Sequence, residues 1–360
     1  MHVRTTRASL AAITGTVVAI LLLVGAQSPA ASATTTEIVL DGYRPSAIAV
    51  DHAANRAFTL NPSSGRITVS DLTTDVALGT LPASVDSTYD EAMLAVDPAL
   101  GAVYIVGAAR TWTGGKRYTL EISNGLLGGI AGGWSGSTID LGLNVRPTAV
   151  AVDYFTHAVF VATTYQSGPF QINRLKKFTV HNTSWDVDGG DFLRLPNNVT
   201  VDSIAIDPAL ARVYLSNTAL GSVSVIDEVT AAKWADVPVG ASPRGIAVNP
   251  FTHELFVANA GSNTLSVIDG YTRSVAGATI SVPGSPQDLE IDHFRGTVFI
   301  RMGSGPGSGP GDVAVLDGSA RTVIAPRLPI DSARAIAIDA VSHSLYAALE
   351  NRSAVAVVTE

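Results

Sequence analysis

The sequence predicts an all-β fold, a seven-bladed propeller of four-stranded antiparallel blades, and three observations carry that prediction. A short apolar segment closing on Asp or Asn recurs seven times. Each copy is followed at fixed spacing by further β-type runs. A surplus strand-like segment precedes the first copy, while the last copy stops one strand short. Self-similarity at a period of several tens of residues marks a repeat architecture, in which each unit buries its apolar faces only against its neighbours.

The copies are Ile48-Ala-Val-Asp51, Leu94-Ala-Val-Asp97, Val150-Ala-Val-Asp153, Ile204-Ala-Ile-Asp207, Ile246-Ala-Val-Asn249, Leu289-Glu-Ile-Asp292 and Ile336-Ala-Ile-Asp339. Their closing residues are 46, 56, 54, 42, 43 and 47 positions apart, the length of one propeller blade each. Four positions further on stand Asn55, Gly101, His157, Ala211, His253, Gly296 and His343, a slot dominated by residues that tolerate a left-handed turn. Runs with an aromatic follow, such as Ala57-Phe-Thr-Leu60, Val103-Tyr-Ile-Val106 and Leu255-Phe-Val-Ala258, and read as second strands. Third strands follow in Ile67-Thr-Val-Ser-Asp71, Val223-Ser-Val-Ile-Asp227, Leu265-Ser-Val-Ile-Asp269, Val313-Ala-Val-Leu-Asp317 and Val355-Ala-Val-Val358. Blades 2 and 3 carry looser versions, Tyr118-Thr-Leu-Glu-Ile122 and Lys177-Phe-Thr-Val180.

Val257-Ala-Asn259 followed by Gly261-Ser-Asn-Thr-Leu-Ser-Val-Ile-Asp269 resembles the YVTN repeat of bacterial and archaeal surface propellers. The resemblance covers nearly all of the chain after its leader. It is strongest in blades 1, 4 and 5 and weakest in blades 2 and 3, where insertions interrupt the pattern. It implies a binding or scaffold role.

Ring closure has a basis in the sequence as well. Thr36-Glu-Ile-Val-Leu-Asp41 lies before the first copy, and the last copy ends after its third strand. Placed as the outer strand of blade 7, the N-terminal segment completes the ring and removes an open sheet edge.

Residues 1–33 read as a signal peptide and 34–360 as one propeller domain. The leader opens with basic Met1 to Arg7, continues through the apolar run Leu10 to Ala26, and ends in Ala31-Ser32-Ala33, a small-x-small cleavage site after Ala33. An uncleaved membrane anchor is the competing reading, because the apolar run approaches the length that spans a bilayer. Either way the chain is expected to be exported, secreted or held at a bacterial cell envelope. No Cys is present, so a large packed core, with no disulfide, must hold the fold. The formal charge of −8 falls to −10 once Arg4 and Arg7 leave with the leader (−8 minus 2). An acidic chain without a Lys/Arg cluster argues against nucleic acid as a partner.

Loops joining fourth to first and second to third strands share one face of a propeller, where function usually sits, by analogy between folds. The longer second-to-third insertions, 108–117 in blade 2, 164–176 in blade 3 and 303–311 in blade 6, fall on that face. They offer Arg110, Trp112, Lys116, Arg117, Tyr165, Phe170, Arg174 and Lys176 as a recognition lip. The alternative is that these insertions are decoration with their aromatics folded down. Five residues before each marker stand Ser46, Ala92, Thr148, Asp202, Arg244, Gln287 and Arg334, small on one side of the ring and polar or charged on the other. With Asp90, Glu91 and Asp288 they line a polar channel suited to a small hydrophilic ligand, or are polar simply because a channel mouth is wet.

Other constellations carry less. His157, His253 and His343 share one repeat position, which places them far apart on a wide ring rather than around one metal ion. His52 and His293 read as exposed turn residues. Asp97-Pro98 and Asp207-Pro208 match turn openers whose carboxylates cap backbone N–H groups. No Gly-x-Ser-x-Gly elbow, phosphate-binding loop, zinc signature or calcium loop is present.

The leading functional expectation is therefore a monomeric, non-catalytic binding propeller without cofactor or metal, recognising a protein, glycan or small polar ligand. Its candidate ligand-binding residues are Glu91, Trp112, Tyr165, Phe170, Asp202, Arg244, Gln287, Asp288 and Arg334. The alternative is a metal-dependent hydrolase or lyase of gluconolactonase-like plan, with Glu91, Asp202 and Asp288 as ligands.

Overall fold

A computed structural model describes residues 18–20, 34–40, 44–83, 92–109, 116–124, 136–181, 186–303, 311–325, 327–328, 330 and 332–359. They form seven antiparallel blades around an axis, with almost no helix. Blades 1 to 4 begin at their innermost strands Ala47–Asp51, Met93–Asp97, Arg146–Asp153 and Val201–Asp207. Blades 5 to 7 begin at Pro243–Asn249, Ser285–Asp292 and Ala333–Asp339. The outer strand of blade 5 is split into two short pieces, Ser274–Val275 and Ile280–Ser281, both paired with Thr264–Asp269.

The repeated residues act as the sequence predicts. Each marker side chain accepts from backbone N–H groups of the turn it opens: Asp51 from Ala54, Asp97 from Ala99 and Leu100, Asp153 from Phe155, and Asp207 from Leu210. Asn249, Asp292 and Asp339 do the same in blades 5 to 7. The slot four positions on has positive φ in all seven blades, from 49° at Ala211 to 72° at Gly296. The aromatic of every second strand, Phe58, Tyr104, Phe160, Tyr214, Phe256, Phe299 and Tyr346, is at most 2% exposed. Each fills the gap between its blade and a neighbour. Seven buried apolar clusters result among the described residues, one at each junction between adjacent blades.

The ring closes as expected. Thr34–Val39 is the outer strand of blade 7, antiparallel to Ala354–Thr359 with Glu37 opposite Ala356. Ile38 and Leu40 enter the cluster that joins blade 7 to blade 1, and Glu37 pairs with Arg352 at 2.7 Å. A three-residue strand, Val18–Ile20, pairs with the outer edge of this segment. It lies within the expected leader.

The three histidines at the shared slot are ties between blades. His157 Nδ1 lies 2.8 Å from Asp97, His253 Nδ1 2.7 Å from Asp207, and His343 Nδ1 2.6 Å from Asp292. Each reaches back from one blade to the buried marker carboxylate of the blade before it. At the blade 3 to 4 junction Lys177 and Thr156 instead hold the buried Glu228, with Lys177 Nζ 3.0 Å from its carbonyl oxygen. Burial and the neighbouring Asp153 push the Glu228 carboxyl above its ordinary range.

Candidate functional site

Two features occupy the face that carries the fourth-to-first and second-to-third connections. The first is a groove of about 800 Å³ running outward from the axis across the ends of blades 2, 3 and 4. Its floor is formed by Met93, Pro147, Thr148 and Val201 at the upper ends of innermost strands. Its sides carry Lys116, Arg146, Tyr165, Gln166, Gln171 and Asp202. A concave space of this size, lined by polar and apolar groups with Tyr118 and Tyr165 among them, has the usual dimensions of a small-ligand site.

The blade 3 insertion builds the high wall of this groove, and it does so as a β-ladder rather than a loop. Ala158–Ser167 and Phe170–His181 stay paired to the tip, with Tyr165 opposite Ile172, Gln166 opposite Gln171 and Ser167 opposite Phe170. The two-residue turn Gly168-Pro169 closes it, and Gly168 sits at φ 59°. The register puts Tyr165 and Phe170 on one face of the ladder, and their distance from the tip separates them. Tyr165 lines the groove, while Phe170 stands at the tip, 63% exposed and outside the groove lining. Arg174 and Lys176 are not part of the lip: both bind Asp191 of the neighbouring outer strand, at 2.6 and 2.7 Å. Their spacing in the sequence could not show this, because Asp191 is a partner across the ladder. Arg117 likewise pairs with Asp140 at 2.6 Å.

The second feature is the axial channel. Its upper chamber, about 330 Å³, is lined by the innermost strands, with Ser46, Asp202, Ser203, Asp288, Glu290 and Arg334 as its polar residues. The polar half of the predicted ring is a linked arc. Arg244 Nη1 donates to Gln287 Oε1 at 2.9 Å, its Nε lies 4.0 Å from Asp202, and Gln287 Nε2 donates to Ser285 Oγ at 2.7 Å. Asp202 also accepts from Thr218 Oγ1 at 2.5 Å and is shared between groove and channel. Asp288 lies 3.8 Å from Arg301 Nε of the second strand. Burial raises the Asp288 carboxyl above its ordinary range, partly opposed by Arg301, and burial lowers the Arg301 guanidinium in turn.

Asp202, Tyr165, Asp288 and Arg334 thus line cavities, and Arg244 and Gln287 brace them. Glu91, Trp112 and Arg110 lie outside the described residues. Sequence reading missed Arg146, Gln166 and Gln171: Gln166 and Gln171 stand opposite one another one position beyond Tyr165, and Arg146 pairs with Thr164 at the foot of the ladder, so period-2 alternation starting from Tyr165 does not point to them. It also missed Glu290. That residue occupies the slot where the other six blades have Ala49, Ala95, Ala151, Ala205, Ala247 and Ala337. Burial, with Asp288 two positions away, pushes its carboxyl up to about 8. Among the described residues no three of His, Asp and Glu gather into a metal-binding group.

No family model and no curated protein matches this chain.

Proposed function

We propose that this protein is an exported, YVTN-type binding propeller that takes a hydrophilic, saccharide-like ligand in the groove over blades 2 to 4. The single observation that carries the reading is that groove: about 800 Å³, open to solvent, with an aromatic ring on one wall and hydroxyl, amide and charged groups around it. Sugars present apolar C–H faces that stack on aromatic rings and hydroxyls that need directional partners. Tyr165 supplies the first, and Gln166, Gln171, Thr148 and Asp202 supply the second. The leader-like N-terminus supports export, and the loops carrying the groove are those that vary most between blades.

The test is a glycan array followed by titration calorimetry of any hit on the full chain. Tyr165→Ala and Asp202→Asn are each expected to weaken binding by about tenfold or more, as loss of roughly 1.4 kcal/mol requires. Phe170→Ala should leave it unchanged. Binding that ignores Tyr165 and Asp202 would remove the groove from the account. Accumulation of the full-length chain in the cytoplasmic fraction would remove export.

A further inference from the structure

Below the polar chamber the channel opens into a second one of different character. The lower chamber, about 300 Å³, faces the opposite side of the ring, and Ile206, Ile246, Val248, Leu289, Ile291 and Ile338 form its walls. Its mouth is framed by Tyr154, Pro208, Pro250 and His293, each the first residue of a first-to-second-strand turn. His293, expected as an exposed turn residue, is half-buried there, and burial holds its imidazole below its ordinary value. Phe251, His293 and Phe294 cluster beside the mouth, with ring centroids 4.5 to 5.5 Å apart.

The carboxyl in the wall of this apolar space is Glu290, which also borders the upper chamber. The architecture does not need it, since six blades place Ala at the same slot. It accepts no hydrogen bond among the described residues. The charge that acts on it is Asp288 on the same strand, of the same sign. Around it, Arg301 faces Asp288, while Arg244 and Arg334 lie in the upper ring, and none of the three lowers its carboxyl. Asp292 is bound to His343 at the foot of the strand. An apolar cavity holding one uncompensated carboxyl matches a ligand with an apolar body and a single cationic head.

We propose that the lower axial chamber binds a small apolar primary amine, with Glu290 as the counter-ion of its ammonium group. The chamber has room for one six-carbon ring. Its aromatic mouth suits the passage of an ammonium group through cation–π contact. Burial disfavours the charged form of the His293 imidazole at this mouth. This site lies on the face opposite the groove and does not depend on the groove's function.

Calorimetry of the full chain with cyclohexylmethylamine tests this, with cyclohexylmethanol as the uncharged probe of the same shape. The amine is expected to bind one to one and at least about tenfold more tightly than the alcohol. Glu290→Gln should abolish that preference while leaving alcohol binding intact. Glu290→Ala, which restores the residue of the other blades, provides a second variant that keeps the fold. Amine affinity should rise from pH 6 to pH 8 as the carboxyl ionises, and not in the variants. Equal binding of amine and alcohol, an amine affinity unchanged in Glu290→Gln, or no binding at millimolar concentration would each overturn the proposal.

Discussion

Single side chains in the axial wall and between blades set local costs that single substitutions expose. A Glu290 carboxyl pushed up to about 8 is protonated in the folded chain over a range where the unfolded chain, with an ordinary value of 4.5, is ionised. The folded state therefore binds more protons than the unfolded state, and stability falls as pH rises from about 4.5 to about 8. The melting temperature of wild type is expected to decline over that interval. Glu290→Gln should flatten the decline, and a scan from pH 5 to pH 8 in the two proteins measures it. Tyr104 and Tyr214 pose a different case. Their hydroxyls are buried and make no hydrogen bond among the described residues, and burial pushes Tyr214 up to about 12. Tyr104→Phe and Tyr214→Phe keep the ring and remove the stranded hydroxyl, so both should melt at or above the wild-type temperature. Phe58→Ala, which empties the equivalent gap, should cost about 3 to 5 kcal/mol in denaturant unfolding.

At the level of the element, the turn between first and second strands does three things with four residues. The marker Asp caps its N–H groups, the fourth residue turns left-handed, and in three blades that residue is a His that ties back to the previous marker. The first two roles were legible in the sequence, because local spacing and turn chemistry decide them. The third was not, since His157 and Asp97 stand 60 residues apart and meet only once blades 2 and 3 pack. The blade 3 insertion shows the same limit. Its length was plain, yet its pairing to the tip and the capture of Arg174 and Lys176 by Asp191 depend on a partner strand. His343→Asn separates the roles, because Asn tolerates the left-handed turn but is too short to reach Asp292. The buried Asp292 then keeps its turn N–H donors but loses the partner of its Oδ2, and the loss should be about 1 to 3 kcal/mol in urea unfolding. Asn at position 55, where blade 1 already uses it, supports the view that the turn itself survives.

Across the whole molecule, stability depends on closing a circle of seven junctions, and the one between blades 7 and 1 is built from both ends of the propeller. The count of blades and the identity of the closing strand were readable because a repeat with one strand too many at its start and one too few at its end has one way to close. The groove and the two axial chambers were only partly readable, because they arise from residues on several blades whose relative depth no single repeat reveals. Ile38 and Leu40, each 2% exposed, pack with Ile48, Leu72, Tyr346 and Val355, and the backbone N–H of Leu40 donates to Ser353 at 2.9 Å. Removing residues 34–40 strips these contacts, leaves the edge Ala354–Thr359 unpaired, and opens the ring at one junction. Among the described residues, deleting residues 1–33 removes only Val18–Ile20, which pairs with the outer edge of that strand. A chain starting at residue 34 should therefore melt cooperatively near the full-length temperature, whereas one starting at residue 42 should melt far lower or aggregate. Ile38→Ala grades the effect, with a cost of about 2 to 5 kcal/mol if the closing strand packs as part of the core. Equal melting temperatures for the chains starting at 34 and 42 would mean that the six other junctions hold the ring without a closing strand.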